Sequence, residues 1–134
     1  MNNLAALLRA MQLYAHAAHN VASKGKTFFE DHEEFSDYYD EYTKHYDEVV
    51  ERIIGLTGTC DIQGITKAAC DTMGEAKLDT PEKAFSVLMA SEKSLCKLAA
   101  EANKTATLGT QDLLQKIANG SEVRQYRISQ KLAR

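Results

Sequence analysis

"TFFEDHEEFSDYYDEYTKHYDEVVERII", residues 27–54, runs on without a glycine or proline. Within it Phe35, Tyr39, Tyr42, Tyr46, Val49 and Ile53 recur in steps of four, three, four, three and four. That spacing is the inward face of one long amphipathic helix, a core stripe of nearly three heptads. Beside it runs a polar row of His32, Ser36, Asp40, Thr43, Asp47 and Glu51, with steps of four, four, three, four and four. The row reads as a shared helix flank where another helix or another subunit packs. Acids at the edge of a packed face need a partner, because an ionised carboxylate removed from water is costly unless paired or metal-bound.

Working outward, residues 3 to 20 carry Leu4, Leu7, Leu8, Met11, Leu13, Tyr14 and Ala18 at helical spacing. "SKGKT", 23–27, breaks that helix, with Gly25 as turn residue and Thr27 as the expected N-cap of the long helix. Residues 55–79 hold four glycines and a short amphipathic piece from Ile65 to Met73, which predicts a long connection with a small helix inside it. "DTPEKA", 79–84, is a helix start: Asp79 or Thr80 as cap, Pro81 in the first position and Glu82 in the first turn. This third helix runs to about Asn103, with Ala84, Leu88, Leu95, Leu98 and Ala102 inward. Thr110 is the expected cap of a fourth helix carrying Leu113, Leu114, Ile117, Val123, Tyr126, Ile128 and Leu132, with Asn119-Gly120 as its weak middle. The fold expected is all-α: a four-helix bundle with a short extra helix in the long connection between helices two and three. A crossover of that length is the connectivity of ferritin-like bundles.

The chain has 134 residues, which predicts a single domain over 1–134, and its 44% hydrophobic and 26% charged residues are those of an ordinary soluble protein. A net charge of −3 gives no electrostatic footprint for nucleic acid. Arg9 interrupts the apolar N-terminal run and no basic stretch precedes it, so it reads as neither a signal peptide nor a membrane span. Cys60, Cys70 and Cys96 have no CxxC spacing and read as reduced thiols of a cytoplasmic protein.

His32 and Asp47 are fifteen residues apart, about 22 Å along a straight helix, so they cannot share a metal within one chain. Asp47 and Glu51 can, being one turn apart. His19, six residues before Gly25, and His32, seven after it, come level in an antiparallel hairpin. The chain thus offers two half-sites, His19 with His32 and Asp47 with Glu51. Pairing two copies of the second helix about a two-fold axis would set each histidine pair against the other copy's carboxylates. Imidazoles with carboxylates suit non-haem iron. The alternative for the acids is an exposed ion pair with Arg52 or Lys44, worth at most about 1 kcal/mol.

"AHNVASKGKTFFEDHEEFSDYYDEYTKHYDEVVERIIGL", 18–56, resembles the segment of Dps-type miniferritins that runs from a helix-A histidine through a glycine turn, a Phe pair and H-E to D-x-x-x-E-R. The matching spacings are Gly25 to His32, His32 to Asp47 and Asp47 to Glu51, and the rest of the chain agrees in layout. The resemblance implies a hollow shell of twelve subunits, with ferroxidase sites between two-fold-related subunits. It also implies oxidation of Fe2+ by hydrogen peroxide and storage of the ferric product inside, protecting the cell from oxidative damage. Carried over, His19 and His32 are the histidine ligands and Asp47 and Glu51 the acidic ones. Two departures stand out. The stretch from His19 to Gly25 is one residue longer, with Asn20 where a tryptophan usually follows, and the family's further acid is Ser36, for which Asp37 or Asp40 could compensate. The Lys-rich tail with which the family often binds DNA has no counterpart before the first helix, so DNA binding is not expected.

His16 and His45 read as surface or supporting residues, although His16, one turn from His19, could stand in if the extra residue rotates the helix end. The tyrosines read as core and interface aromatics, with Tyr126 the best candidate for a redox relay. Asp112 stands where the family lines an iron pore, with Lys116 one turn on. The competing function is a ferritin-like cage or DNA-associated structural protein with weak or absent ferroxidase activity, for which Ser36 and the insertion speak.

Overall fold

The computed structural model describes residues 1–133. It contains α1 (Asn2–Val21), a 3-10 turn (Gly25–Thr27), α2 (Phe28–Thr57), α3 (Ile62–Met73), α4 (Pro81–Asn103) and α5 (Leu108–Leu132). The expected bundle is present, with the extra helix where the connection was expected to carry one.

The cross-helix bonds give the topology. Gln12 reaches Thr43 and His19 reaches His32, so α1 and α2 are antiparallel. Arg124 meets Glu92 and Gln111 meets Asn103, so α4 and α5 are antiparallel too. Phe35 stacks on Phe85 at 4.5 Å and Tyr42 bonds Glu92, so α2 and α4 run parallel. A 30-residue helix is about 45 Å long, and the chain must retrace that length before α4 can start beside the beginning of α2. The segment between Gly58 and Thr80 does this, with α3 lying on α1 through buried Ile65 and Ala69 and a Tyr14 hydroxyl bond to the Thr72 carbonyl.

Helix boundaries follow local chemistry. Thr80 caps α4 by accepting from the Lys83 amide, with Pro81 behind it. The cap of α5 is Thr107 rather than Thr110: Thr107 Oγ1 accepts the Thr110 amide, and Thr110 is itself buried. Thr27 does not cap α2; its hydroxyl instead donates to the buried Asp31 carboxylate at 2.7 Å.

The core stripe of α2 is Phe35, Tyr38, Tyr42, Tyr46, Val49 and Ile53. Tyr38, not Tyr39, is the buried member, because i−4 from Tyr42 lies closer to the core direction than i−3 on the side facing α4 and α5. On α5 the expected Val123, Tyr126 and Leu132 are exposed, and Ser121, Arg124 and Ile128 take the inward positions. α5 also runs unbroken through Asn119-Gly120. A Cβ on Gly120 would come within 3.1 Å of Arg124 Nη1 and 3.4 Å of His45 Nε2, so the glycine makes room for two side chains.

Candidate metal site

The turn 22–27 brings the ends of α1 and α2 together through Gly25, whose φ of +75° is a conformation L side chains rarely adopt. The amides of Ala22 and Ser23 both return to the Ala18 carbonyl, and the His19 carbonyl at the end of α1 is bonded by His32. His32 Nδ1 donates to it at 3.0 Å, and His19 Nδ1 donates to the His32 carbonyl at 2.9 Å. A carbonyl only accepts, so both Nδ1 atoms carry a proton, and in the neutral ring that leaves the lone pair on Nε2. That reciprocal lock is how metal-binding imidazoles are held in one tautomer and one orientation. The rings stack at 3.6 Å, and Phe28 covers the far side of His32 at 4.8 Å.

Asp47 and Glu51 are exposed and make no hydrogen bond or ion pair among the described residues. Arg52, a potential surface partner, donates instead to Thr110 at 3.2 Å. The polar row does not keep to one flank. Each step of four adds about 40° and each step of three removes about 60°, so the row winds roughly 100° around α2 from His32 to Glu51. Accordingly His32, Ser36 and Thr43 are half-buried against α1, whereas Asp40, Asp47 and Glu51 face outward. Among the described residues no group of three or more His, Cys, Asp or Glu side chains within the chain is placed to hold a metal ion.

A second polar cluster lies in the bundle centre. Arg124 of α5 has no exposed surface, and its guanidinium donates to Glu92 of α4 at 2.7 and 3.3 Å. The buried Tyr42 hydroxyl donates to the same carboxylate at 2.6 Å, and the Arg124 guanidinium lies 4.9 Å over the Tyr42 ring. Burial, then the neighbouring Glu92 charge, pushes the Tyr42 phenol well above its usual range. Burial also lowers His45 and raises Glu41, with Arg124 acting on both. The sequence carried a signal for this cluster: Ser91 and Glu92, like Ser121 and Arg124, fall on the apolar period of their helices, level with one another.

The chain matches the ferritin family model, described as a ferritin-like domain, over residues 2–134, and it belongs to the ferritin-like domain family. Ferritin-like proteins in general bind iron, store or oxidise it, and assemble as oligomers. No curated protein matches the chain. No helix among the described residues is long and apolar enough to cross a membrane. Many di-iron proteins of this fold place carboxylates from all four helices in the bundle core. Here α1 contains no Asp or Glu, and Glu92 is committed to Arg124. The bundle core therefore does not fit a metal pair.

Proposed function

We propose that this single-domain chain is a Dps-type miniferritin of the cytoplasm. On this reading it binds Fe2+ between two-fold-related subunits of a twelve-subunit shell, oxidises it with hydrogen peroxide and stores the ferric product inside. His19 and His32 of one copy are the nitrogen ligands, and Asp47 and Glu51 of the other are the oxygen ligands. The observation that carries this reading is the His19–His32 lock, which presents two Nε2 atoms to a metal, while among the described residues no third His, Cys, Asp or Glu joins them in a ligand group. Support comes also from the outward-facing acid pair and from the pairing of the core carboxylate Glu92 with Arg124.

The imidazoles retain Fe2+, and the carboxylates favour the higher charge of Fe3+, so the ligand set lowers the cost of oxidation. Each Fe2+ gives up one electron. Hydrogen peroxide takes two, with two protons, and leaves as two waters, so oxidation in pairs releases no hydroxyl radical. In Glu51→Ala the rapid rise of ferric absorbance after mixing with iron and peroxide is lost while the shell still assembles. Unchanged oxidation kinetics in that variant would refute the assignment.

One feature favours a second reading, a ferritin-like cage with weak chemistry: Ser36, half-buried one turn from His32, is a poor iron ligand. Stopped-flow oxidation of the wild type separates the two readings. DNA association, disfavoured by the net charge of −3, is tested by gel shift at low salt, where phosphate contacts are strongest.

A further inference from the structure

The face of α2 that turns toward α5 carries a row of carboxylates, none of them a ligand of the site proposed above. Glu30, Glu33, Glu34, Asp37, Asp40 and Glu41 line a groove between the first half of α2 and the end of α5. Its two adjoining parts, about 640 and 350 Å³, share Asp37 and Arg127. Glu30, Glu33, Asp37 and Asp40 are exposed and make no hydrogen bond or ion pair among the described residues. Of the cations on α5, Arg124 is committed to Glu92 and Lys131 to the buried Asp31. Arg127, half-exposed, reaches Glu34 only at 3.9 Å. The groove is left with a surplus of negative charge. One turn on from Glu34 lies Tyr38, without exposed surface. The Tyr38 hydroxyl and Glu34 Oε1 are both buried, and neither has a hydrogen-bond partner among the described residues. Burial, then the neighbouring Glu34 carboxylate, pushes the phenol above its usual range, so it stays neutral. Two buried oxygens at one place thus lack a donor, and buried polar atoms in folded proteins are rarely left so.

We propose that this groove binds a linear aliphatic polyamine, its ammonium groups spaced along the α2 carboxylates and one of them seated on Glu34 Oε1 and the Tyr38 hydroxyl oxygen. The basis is a match of pitch. Glu30, Glu34, Asp37 and Glu41 follow in steps of four, three and four, with Glu33 and Asp40 beside them. Successive carboxylates stand about 5–6 Å apart, in a row about 16 Å long. Ammonium groups separated by three or four methylenes repeat at nearly the same distance. A compact metal ion needs several oxygens within about 2.6 Å of one centre. Among the described residues no group of three or more His, Cys, Asp or Glu is placed to hold one. An extended cation meets the carboxylates one after another and needs no such convergence. Tyr126, 66% exposed on the wall of the groove, offers a ring face that attracts an ammonium group. Arg127 stands where a guest ammonium would sit, and its loose surface contact with Glu34 costs little to break. The inference does not depend on the iron chemistry proposed above.

The test is calorimetric titration of the protein with spermidine at low salt, and with hexaamminecobalt(III) in parallel. The two carry the same charge, one along a chain and the other at a point. Spermidine binds the wild type about tenfold more tightly than the cobalt complex, and its affinity falls as salt is added. Glu34→Gln/Asp37→Asn weakens spermidine about tenfold. Tyr38→Phe, which removes only the hydroxyl, weakens it about threefold. Arg127→Gln removes the competing cation and tightens binding about threefold. Glu75→Gln/Glu82→Gln, which neutralises two exposed acids outside the groove, leaves the affinity unchanged. Circular dichroism and elution volume check that each variant keeps its fold and assembly. Equal affinity for the two trications overturns the inference, as does wild-type affinity in Glu34→Gln/Asp37→Asn or in Tyr38→Phe.

Discussion

Arg124 and Glu92 are each without exposed surface, so each charge depends on the other for the solvation that water no longer gives. Arg124→Met leaves Glu92 buried without its cation and lowers stability to urea by about 3–5 kcal/mol, whereas Glu92→Leu/Arg124→Met recovers most of that loss. A double variant as unstable as the single one would show that packing, not charge, dominates. His45 is a second residue-scale case. Burial lowers its pKa, Arg124 and Lys44 lower it further, and Glu48 opposes them. The unfolded chain then binds more protons than the native one just below the ordinary histidine pKa. His45 therefore favours the fold above about pH 6.5 and costs stability as pH falls through its native pKa. Glu41, with its pKa raised, acts oppositely from the carboxylate range upward. The difference in thermal midpoint between wild type and His45→Gln, followed from pH 7.5 down to 5.5, isolates the His45 share. The wild type loses ground to the variant as acid is added; parallel curves would remove His45 from the account.

At the scale of the element, α2 shows how one residue type acts with opposite signs three positions apart. Gly58 ends the helix in the left-handed conformation, φ +86°, and its amide bonds the Ile54 carbonyl at 2.7 Å. A Cβ there meets nothing within 4 Å, so the cost of Gly58→Ala is conformational alone, about 1 kcal/mol. Gly55 lies inside the helix, also with nothing within 4 Å, and Gly55→Ala raises stability by about 0.5–1 kcal/mol. Urea unfolding of the two variants reads the contrast directly. Same-sign effects would mean that α2 does not end at Gly58. The helices themselves were legible in the sequence, since period and breakers are local properties. Which of two adjacent tyrosines turned inward was not: Tyr38 and Tyr39 both lie near the stripe, and the packing of α4 and α5 decided between them.

At the scale of the whole molecule, the site proposed above is completed only by a second chain. That makes complementation the sharpest test of the proposed assembly. A chain lacking both histidines (His19→Ala/His32→Ala) and a chain lacking both acids (Asp47→Ala/Glu51→Ala) are each inactive alone. Refolded together in equal amounts, half of the two-fold pairs are mixed, and each mixed pair rebuilds one of its two sites. The mixture should oxidise Fe2+ at about a quarter of the wild-type rate. A mixture as inactive as its components would sink the inter-subunit site, whatever the oligomer's size.

The helices, the long crossover and the four candidate ligands could be read before any fold was known, because they rest on spacing along one chain. The sequence also held the polar residues of the bundle centre, although their meaning was hidden. Ser91 and Glu92 interrupt the period of α4, and Ser121 and Arg124 that of α5, and no local rule states that they meet. Tertiary structure decided the rest. It paired Glu92 with Arg124, closed the centre to metal, locked the tautomers of His19 and His32 across a turn, and set His16 on Tyr39. It also turned Asp47 and Glu51 away from their own bundle, since a helix of 3.6 residues per turn carries a row of mostly four-residue steps steadily around its axis. Such relations depend on which helices become neighbours and at what register, and that is settled only when the whole chain packs.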